Sequence, residues 1–471
     1  MLSQTTHFKD PCSLANNKAL LLCSTLLTLV ILLVCKISGF EKHVLGLLLC
    51  APLLILFLSN TNVFMLCVVI LLFAKADAFI FKLVVLSSIP LTLSYLVTYK
   101  RDTFNRVPNP LMAPLAIFIV TLLPSLLNTF NPGASIYQMF NLISMIILFL
   151  ILGNYVTEYR QMKACAIAYV FLSLCNGLNI IVQNLLTGNR VFGFAGIMYV
   201  DLVCVAIIIC ITAILFFRNW KSFLLLVIVL LLLVSLLFAQ TRNTMISLAI
   251  LCVFLFFFLL LYHRTFSIAR KKVLLISAVS LLAIGASLGF LYYLVPQIFD
   301  RIIVIFSKKG GSGALVSSSL ISRLLIWQAA FNAFLAHPII GCGAYSFWTD
   351  SHYYSHIPNW LYKDWVQGMS EHETYFAVLT ETGIIGFVGF ITFLFSAIHL
   401  AFKSVVISVS AEQKYYSLGL LLLQIYVAVS MTMTDAWRWG QCGMLWGLIL
   451  GFSCANYKSI MRSESTLEKQ Q

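Results

Sequence analysis

Apolar stretches long enough to cross a lipid bilayer follow one another along almost the whole chain, and one long segment interrupts them. The interruption runs from Pro296 to Glu373 and is the longest part of the chain suited to water. Backbone hydrogen bonds in lipid have to be satisfied within each span, so the apolar stretches are predicted to be helices. Chemistry on water-soluble groups is therefore expected in or beside the interruption.

The composition excludes a soluble globular protein and predicts an all-α polytopic membrane protein. Of the 471 residues, 61% are hydrophobic and 10% are charged. We expect about 12 to 14 transmembrane helices and one large loop that contains short helices. The candidate spans lie near 19–35, 43–58, 63–80, 82–98, 112–128, 136–152, 164–186, 196–217, 221–238, 243–262, 273–295, 375–400, 416–433 and 440–456. They divide the chain into membrane helices at 1–295 (about eleven spans), a loop at 296–373, membrane helices at 374–457 (about three spans) and a polar tail at 458–471.

The formal net charge of +14 indicates an orientation in the membrane rather than nucleic-acid binding. Lys and Arg gather in alternate connections, for example at Lys100–Arg106 and Arg264–Lys272, as the positive-inside rule expects. With the N-terminus inside, the span count puts the loop, Arg190, Arg242 and Arg438 outside and the tail in the cytoplasm. We expect membrane lipid as a partner, and no nucleic acid.

The loop is predicted to have three parts. Lys308 to Ser319 is rich in Gly and Ser and is expected to be mobile. Leu320 to Ala336 has helical periodicity, which predicts an amphipathic helix on or near the membrane surface; its apolar side would hold Leu324, Trp327, Phe331 and Phe334. Ser346 to Gly368 is rich in aromatic residues. After these three parts, Ser370 and Glu373 have the spacing of a capping box before the next helix.

A metal site and a disulfide are the weaker alternatives for the histidines and cysteines. His352 and His356 lie four residues apart, and Glu371-His372-Glu373 offers further ligands, but no H-E-x-x-H motif occurs. We therefore expect no metal and no other cofactor. The thirteen cysteines form no C-x-x-C pair, and a disulfide between Cys342 and Cys442 is conceivable.

Two arginines are candidates for binding an anion. Arg242 lies in a short polar turn between two apolar spans, and Arg323 lies near the start of the predicted loop helix. Each has an ordinary interpretation as an interfacial or solvated cation. Each is also suited to hold phosphate, because a guanidinium stays charged and binds phosphate in a bidentate way. Two such groups on one side of the membrane could hold a diphosphate together.

His372 is the candidate general base, although it could also be a hydrogen-bonded interfacial histidine. It precedes a long apolar helix, whose N-terminus favours the neutral ring that can accept a proton. Its neighbours Glu371 and Glu373 favour the protonated ring and could orient it. These opposing effects leave its protonation state open.

Three further residues are supporting candidates. Asp435 and Arg438 lie in the turn between the last two spans, where they could be a structural ion pair or could orient a substrate or a catalytic partner. Arg190, beyond the seventh span, is a weaker candidate of the same kind.

The order of these motifs resembles a known family. Thr241-Arg242 comes first, then Ser322-Arg323 with Trp327, then Pro338 to Gly343 in a P-x-x-G-x-G turn. An H-x-x-Y-x-x-x-L-x-E-x-G-x-x-G pattern follows, formed by His372, Tyr375, Leu379, Glu381, Gly383 and Gly386. This set is similar to the O-antigen ligase and O-antigen polymerase superfamily of bacterial inner-membrane glycan transferases. The motifs cover about 220 to 400, and the helical frame extends over most of the chain.

The resemblance implies a multi-pass protein of the bacterial inner membrane with its active site on the periplasmic face. It implies metal-independent transfer of a glycan from undecaprenyl diphosphate, with His372 activating an acceptor hydroxyl and Arg242 and Arg323 holding the diphosphate. The turn with Asp435 and Arg438 resembles a polar turn of the ligases. The family often has Asn after the histidine, whereas this chain has Glu373, so the resemblance leaves the details of acceptor handling open but not the base.

Several functions share this donor chemistry. The single large loop favours an O-antigen ligase that transfers the glycan to lipid A-core, because polymerases often have two substantial loops. The alternatives are an O-antigen polymerase that joins lipid-linked repeat units and a protein O-oligosaccharyltransferase. A polysaccharide transporter or flippase is a different class, which would predict charges at mid-membrane and repeated halves. Lys75 and Asp77 are the only candidates for such charges.

Overall fold

A computed structural model describes residues 69, 72–73, 108–130, 132–156, 158–188, 191–193, 199–216, 220–239, 242–262, 266, 313–436 and 440–468. In these ranges the regular structure is helical, and no strand occurs. The helices are α1 (Met112–Leu122), α2 (Pro132–Tyr155), α3 (Tyr159–Thr187), α4 (Tyr199–Phe216), α5 (Trp220–Phe238), α6 (Arg242–Tyr262), α7 (Gly313–Ala336), α8 (Phe347–Tyr354), α9 (Asn359–Trp365), α10 (Thr374–Ile407), α11 (Ala411–Ser430) and α12 (Gly440–Glu468). A 3₁₀ helix (Leu123–Asn128) continues α1.

Several of these helices are suited to cross a membrane. Four are long and apolar enough: Tyr159–Thr187, Trp220–Phe238, Asn243–Tyr262 and Thr374–Ile407. Shorter apolar helices occur at Met112–Asn128, Asn141–Asn154 and Val200–Phe216. The predicted fold class, an all-α polytopic membrane protein, is confirmed.

Each predicted span that falls on described residues coincides with a helix. The spans near 19–35, 43–58, 82–98 and 273–295 lie outside the described residues, as does most of 63–80 with Lys75 and Asp77. The total of 12 to 14 spans therefore stays a prediction.

Close helix packing holds the helical frame, which consists of α1–α6 and α10–α12. The helix α12 approaches α2 so closely that a Cβ at Gly447 would lie 2.7 Å from the Met145 carbonyl oxygen. The helix α10 packs on α1 through Phe118, whose ring stacks on Phe393 with 5.9 Å between centroids. In lipid such contacts stabilise mainly by dispersion, so small residues at crossings allow helices to associate.

The loop segment (residues 296–373, described from 313) has a small apolar core of its own. The buried members from α7 are Ile326, Ala329, Ala330 and Ala333, which pack with Cys342, Phe347, Tyr354, Tyr362 and Val366. The opposite side of α7 exposes Leu324, Trp327, Phe331 and Leu335, while Phe334 is half-buried. Both sides of the helix therefore carry apolar residues, so the predicted amphipathic pattern is not seen. Three of the four residues assigned to its apolar side are exposed, and its position at the membrane surface stays a prediction.

Part of the Lys308–Ser319 segment, which was expected to be mobile, is helical: α7 begins at Gly313, and serine costs a helix only a fraction of a kcal/mol. The helix α12 continues to Glu468, so most of the polar tail from 458 is helical. The disulfide that was conceivable between Cys342 and Cys442 is absent, since both are free thiols.

A break in α10 joins the loop segment to the frame. Gly383 has φ 64° and ψ −170°, a backbone conformation that is essentially restricted to glycine. The turn Pro338–Gly343 bonds the backbone on both sides of this break. The Cys342 and Gly343 amides donate to the Thr380 and Glu381 carbonyls at 3.1 and 3.0 Å. The Ile384 amide donates to the Pro338 carbonyl at 2.9 Å. The turn Pro338–Gly343 and the break at Gly383 therefore form one hydrogen-bonded unit, which we call the joint.

The Glu381 carboxylate completes this joint. It is fully buried and accepts hydrogen bonds from the Tyr345 amide at 2.9 Å and the Phe347 amide at 3.2 Å. These amides lie at the start of α8, where a carboxylate is favourable because amide groups there have no partner within the helix. Glu381 thus fixes α8, and with it the aromatic part of the loop, to the frame.

Candidate functional site

His372 lies just before the start of α10, outside the helix. The N-cap is Glu373, whose Oε2 accepts a hydrogen bond from the Phe376 amide at 3.0 Å. The predicted capping box with Ser370 is therefore wrong: Glu373 caps the helix itself because its side chain reaches the amide three residues on. His372 has φ 57°, a left-handed conformation that is uncommon for a residue with a Cβ.

The turn 431–436, between α11 and α12, lies against this helix start. The Thr374 amide donates to the Met431 carbonyl at 2.9 Å, and the Thr374 hydroxyl donates to the Thr434 carbonyl at 2.6 Å. The same hydroxyl accepts from the Ala436 amide at 2.9 Å. Asp435 lies between the two turn residues that the Thr374 hydroxyl binds, and only 3% of it is exposed. The structure thus brings Asp435 close in the fold to His372.

The start of α6 reaches the same turn. The Asn243 side-chain amide donates to the Met433 carbonyl at 3.0 Å. Arg242 is the first residue of α6 and directly precedes Asn243. The turn 431–436 therefore contacts both the start of α6, which carries Arg242, and the start of α10, which follows His372.

The helix α7 approaches from the loop side. Trp327 donates its indole N–H to the Glu371 carbonyl at 2.9 Å. Arg323 lies one helical turn before Trp327 and is half-buried. Burial lowers the pKa of its guanidinium, which stays charged at neutral pH because its ordinary pKa is so high. Ser322, next to Arg323, donates to the Trp365 carbonyl at 2.8 Å.

Three carboxylates lie at this junction of α6, α7, α10 and the turn 431–436: Glu371 and Asp435 are buried, and Glu373 is half-buried. Burial raises the pKa of Glu373, the Phe376 amide lowers it, and the negative charge of Asp435 raises it. Glu371 is fully buried. Burial raises the pKa of the Cys342 thiol, and the charges of Glu381 and Glu371 raise it further, so the Glu371 carboxylate lies near Cys342. Acidic groups in low-dielectric surroundings favour nearby cations.

Two other loop histidines make ring contacts with tyrosines of α8. The His337 ring meets the Tyr354 ring edge-on, with centroids 6.0 Å apart. The His352 ring lies against Tyr353, with centroids 3.8 Å apart. Among the described residues, no group of three or more His, Cys, Asp or Glu side chains is arranged to hold a metal ion.

Part of the predicted site lies outside the described residues. Arg190 and Arg438 are among the residues not described, and of Arg242 only the backbone is described. The roles proposed for the candidate residues therefore stay predictions; these residues are Arg190, Arg242, Arg323, Glu371, His372, Asp435 and Arg438. The described elements next to four of them, Arg242, Arg323, His372 and Asp435, nevertheless meet.

Residue-type reasoning missed the residues that build the junction. Thr374, Asn243 and Trp327 make its hydrogen bonds, and Glu381 and Gly383 hold the loop beneath it. Trp327, Glu381 and Gly383 belong to the motifs that resemble the family, and this membership is the sequence signal that could have identified them. Thr374 and Asn243 gave none beyond standing next to candidate residues.

The comparisons support the resemblance drawn from the motifs. Residues 227–391 match the family model described as O-antigen ligase. This range includes Arg242, Arg323 and His372, whereas Arg190, Asp435 and Arg438 lie outside it. No curated protein matches the chain. The predicted similarity to the O-antigen ligase superfamily is confirmed.

Proposed function

With the O-antigen ligase match over residues 227–391 as the premise, we propose that this membrane protein transfers a glycan from undecaprenyl diphosphate to an acceptor hydroxyl. The observation that carries the proposal is the meeting of three distant elements at one place. The turn 431–436 and the strained residue His372 lie between the start of α6 and the Arg323 turn of α7. The reaction needs a general base close to the cations that bind the diphosphate.

The chemical step follows from these groups. The acceptor oxygen attacks the anomeric carbon, and the bond from that carbon to the diphosphate oxygen breaks. The His372 ring takes the acceptor proton, which requires a neutral imidazole within hydrogen-bond reach. Arg242 and Arg323 stabilise the charge that grows on the leaving diphosphate, as fixed cations do best in partly dry surroundings.

The acidic groups have a supporting role in this proposal. Both Glu371, which precedes His372 in the chain, and Asp435, in the turn that Thr374 binds, are buried. In this proposal their negative charge stabilises the imidazolium that forms during transfer. Arg190 and Arg438 are proposed to assist the diphosphate or the acceptor. The site would face the periplasm from the bacterial inner membrane.

We favour lipid A-core as the acceptor, which makes the protein an O-antigen ligase. The single large loop is the feature that favours a ligase over a polymerase. The lipopolysaccharide of a deletion strain separates the two: a ligase defect leaves core without glycan while lipid-linked polymer accumulates. Core that bears one repeat unit would identify a polymerase, and normal lipopolysaccharide with unglycosylated protein would identify a protein O-oligosaccharyltransferase.

His372→Ala tests the proposed base. The variant should remain in the membrane and lose at least about 100-fold in transfer rate, the usual contribution of a general base. Transfer is measured with lipid-linked glycan and purified acceptor in proteoliposomes. His399→Ala is the matched control: it changes an exposed histidine in the body of α10 and should transfer normally. Normal transfer by His372→Ala would refute the base.

A further inference from the structure

His372 occupies a strained backbone conformation. Apart from the glycines, Tyr345 and His372 are the residues with positive φ in the described part of the chain. The left-handed conformation is unfavourable for a residue with a Cβ, because the Cβ comes too close to a neighbouring carbonyl oxygen. It persists only when the surrounding structure holds it in place.

The residue before His372 is held by the loop segment. The Glu371 carbonyl accepts the indole N–H of Trp327 at 2.9 Å. The α7 backbone at Trp327 is held in place because Ile326 and Ala330 are buried, while the Trp327 side chain itself is partly exposed. One side of the strained residue is therefore fixed to α7, the helix that carries Arg323.

The residues after His372 are held by the helical frame. Thr374 makes three hydrogen bonds to the turn 431–436, two through its hydroxyl and one through its amide. Glu373 caps α10 with its carboxylate. His372 thus lies between two anchors that belong to different parts of the molecule.

We propose that Trp327 and Thr374 are positioning residues that hold His372 in its strained conformation and so set the direction of its imidazole. This inference rests on the proposed function, in which His372 is the base. Loss of either anchor would let the backbone relax from positive φ, and relaxation turns the Cα–Cβ bond away from the acceptor. A misplacement of about 1 Å at a reacting group can reduce the rate about 100-fold.

Two variants remove the anchors with little change in shape. Trp327→Phe removes the indole N–H, and Thr374→Val removes the hydroxyl. Each should lower kcat about 10- to 100-fold and leave KM for the lipid-linked donor within about twofold, since the arginines are unchanged. The double variant should lose less than the product of the two single effects, because both release the same backbone.

Matched controls separate positioning from general damage. Trp220→Phe makes the same chemical change at an exposed tryptophan at the start of α5 and should keep the full rate. Thr374→Ser keeps the hydroxyl and should restore most of the rate lost in Thr374→Val.

Three results would overturn the proposal. The first is a normal kcat in Trp327→Phe and Thr374→Val. The second is a raised KM with unchanged kcat, which would mean direct contact with the donor. The third is equal damage in Thr374→Ser and Thr374→Val, which would indicate a purely structural role. If His372→Ala is inactive while both anchor variants are normal, the proposed function stands and only the positioning fails. Normal transfer by His372→Ala removes the proposed function itself.

Discussion

The helical frame and the loop segment differ in what fixes their atoms. In the frame, long helices meet along apolar faces, as where Phe118 stacks on Phe393 or where α12 passes Met145 at Gly447. In the loop segment the apolar core is small, and single polar atoms set the geometry. The Glu381 carboxylate holds two amides, and the break at Gly383 receives the turn Pro338–Gly343.

This difference bears on function because the proposed site lies where the two regions join. Apolar packing has no strong direction, so a frame can absorb a changed side chain by small shifts. A hydrogen bond to a carbonyl has a defined direction, so its loss moves or frees a particular backbone segment. Changes in the joint should therefore stop transfer, whereas changes in the frame away from the joint and from the proposed site should lower stability alone.

Gly383→Ala should have the largest effect. A Cβ there would collide with the Ile339 carbonyl, and φ 64° with ψ −170° disfavours any residue except glycine. We expect a loss of about 3 kcal/mol or more in unfolding free energy and little transfer, measured by thermal unfolding in detergent and by the proteoliposome assay. Gly419→Ala in α11, whose Cβ would lie 3.4 Å from Thr212 Oγ1, should be nearly neutral. A stable, active Gly383→Ala would contradict the joint.

Glu381→Ala should come next. It leaves the Tyr345 and Phe347 amides without their acceptors, at about 1 to 3 kcal/mol for each buried group. Glu381→Gln keeps one carbonyl oxygen and should lie between the alanine variant and the wild type in thermal stability and in transfer. Equal behaviour of the alanine and glutamine variants would argue against the two hydrogen bonds as the cause.

Lys458→Met tests the frame. The Lys458 ammonium is buried and donates to the Gly153 carbonyl at 3.0 Å and to Asn154 Oδ1 at 2.6 Å, near the end of α2. Its loss should destabilise the protein by about 1 to 3 kcal/mol in thermal unfolding. The transfer rate per folded molecule should not change; a lower rate at equal folded fraction would mean that the frame also tunes the site.

Glu373→Gln should have the smallest effect, one that depends on pH. The raised pKa of Glu373 means that folding disfavours its charge, so its contribution to stability is present at low pH and is lost as pH rises through the raised value. At pH 7 the glutamine variant should match or exceed the wild type in thermal midpoint, because it keeps a cap acceptor without the charge. The difference should shrink as pH falls and Glu373 takes up a proton. A variant less stable than the wild type at pH 7 would contradict this sign.

Hydropathy alone predicted the described spans because each apolar stretch has one way to satisfy its backbone in lipid. The position of Arg323 and His372 at the two ends of the loop core followed from the motif order. The joint could not be predicted, since it pairs the backbone of 338–343 with that of 380–385. Backbone pairing leaves almost no side-chain pattern except the glycines, and Gly341 and Gly343 predicted only a turn.

The anchors of His372 were hidden for the same reason. The Thr374 hydroxyl donates to the Thr434 carbonyl, and the Trp327 indole donates to the Glu371 carbonyl. Any residue type can supply a carbonyl oxygen. The sequence also favoured Ser370 as a cap, although Glu373 caps the helix alone. Sequence patterns therefore predict the helices, but they do not predict which carbonyl groups come within hydrogen-bonding distance of these side chains.

The most direct test of the proposed site of two arginines and one histidine is donor affinity in Arg242→Ala, Arg323→Ala and His372→Ala, measured side by side with lipid-linked glycan diphosphate in nanodiscs. Each arginine variant should bind the donor at least about tenfold more weakly, because a charge-assisted phosphate contact is worth about 1.5 to 3 kcal/mol. His372→Ala should bind it normally and yet transfer nothing. Normal donor affinity in both arginine variants, or normal transfer by His372→Ala, would contradict the account.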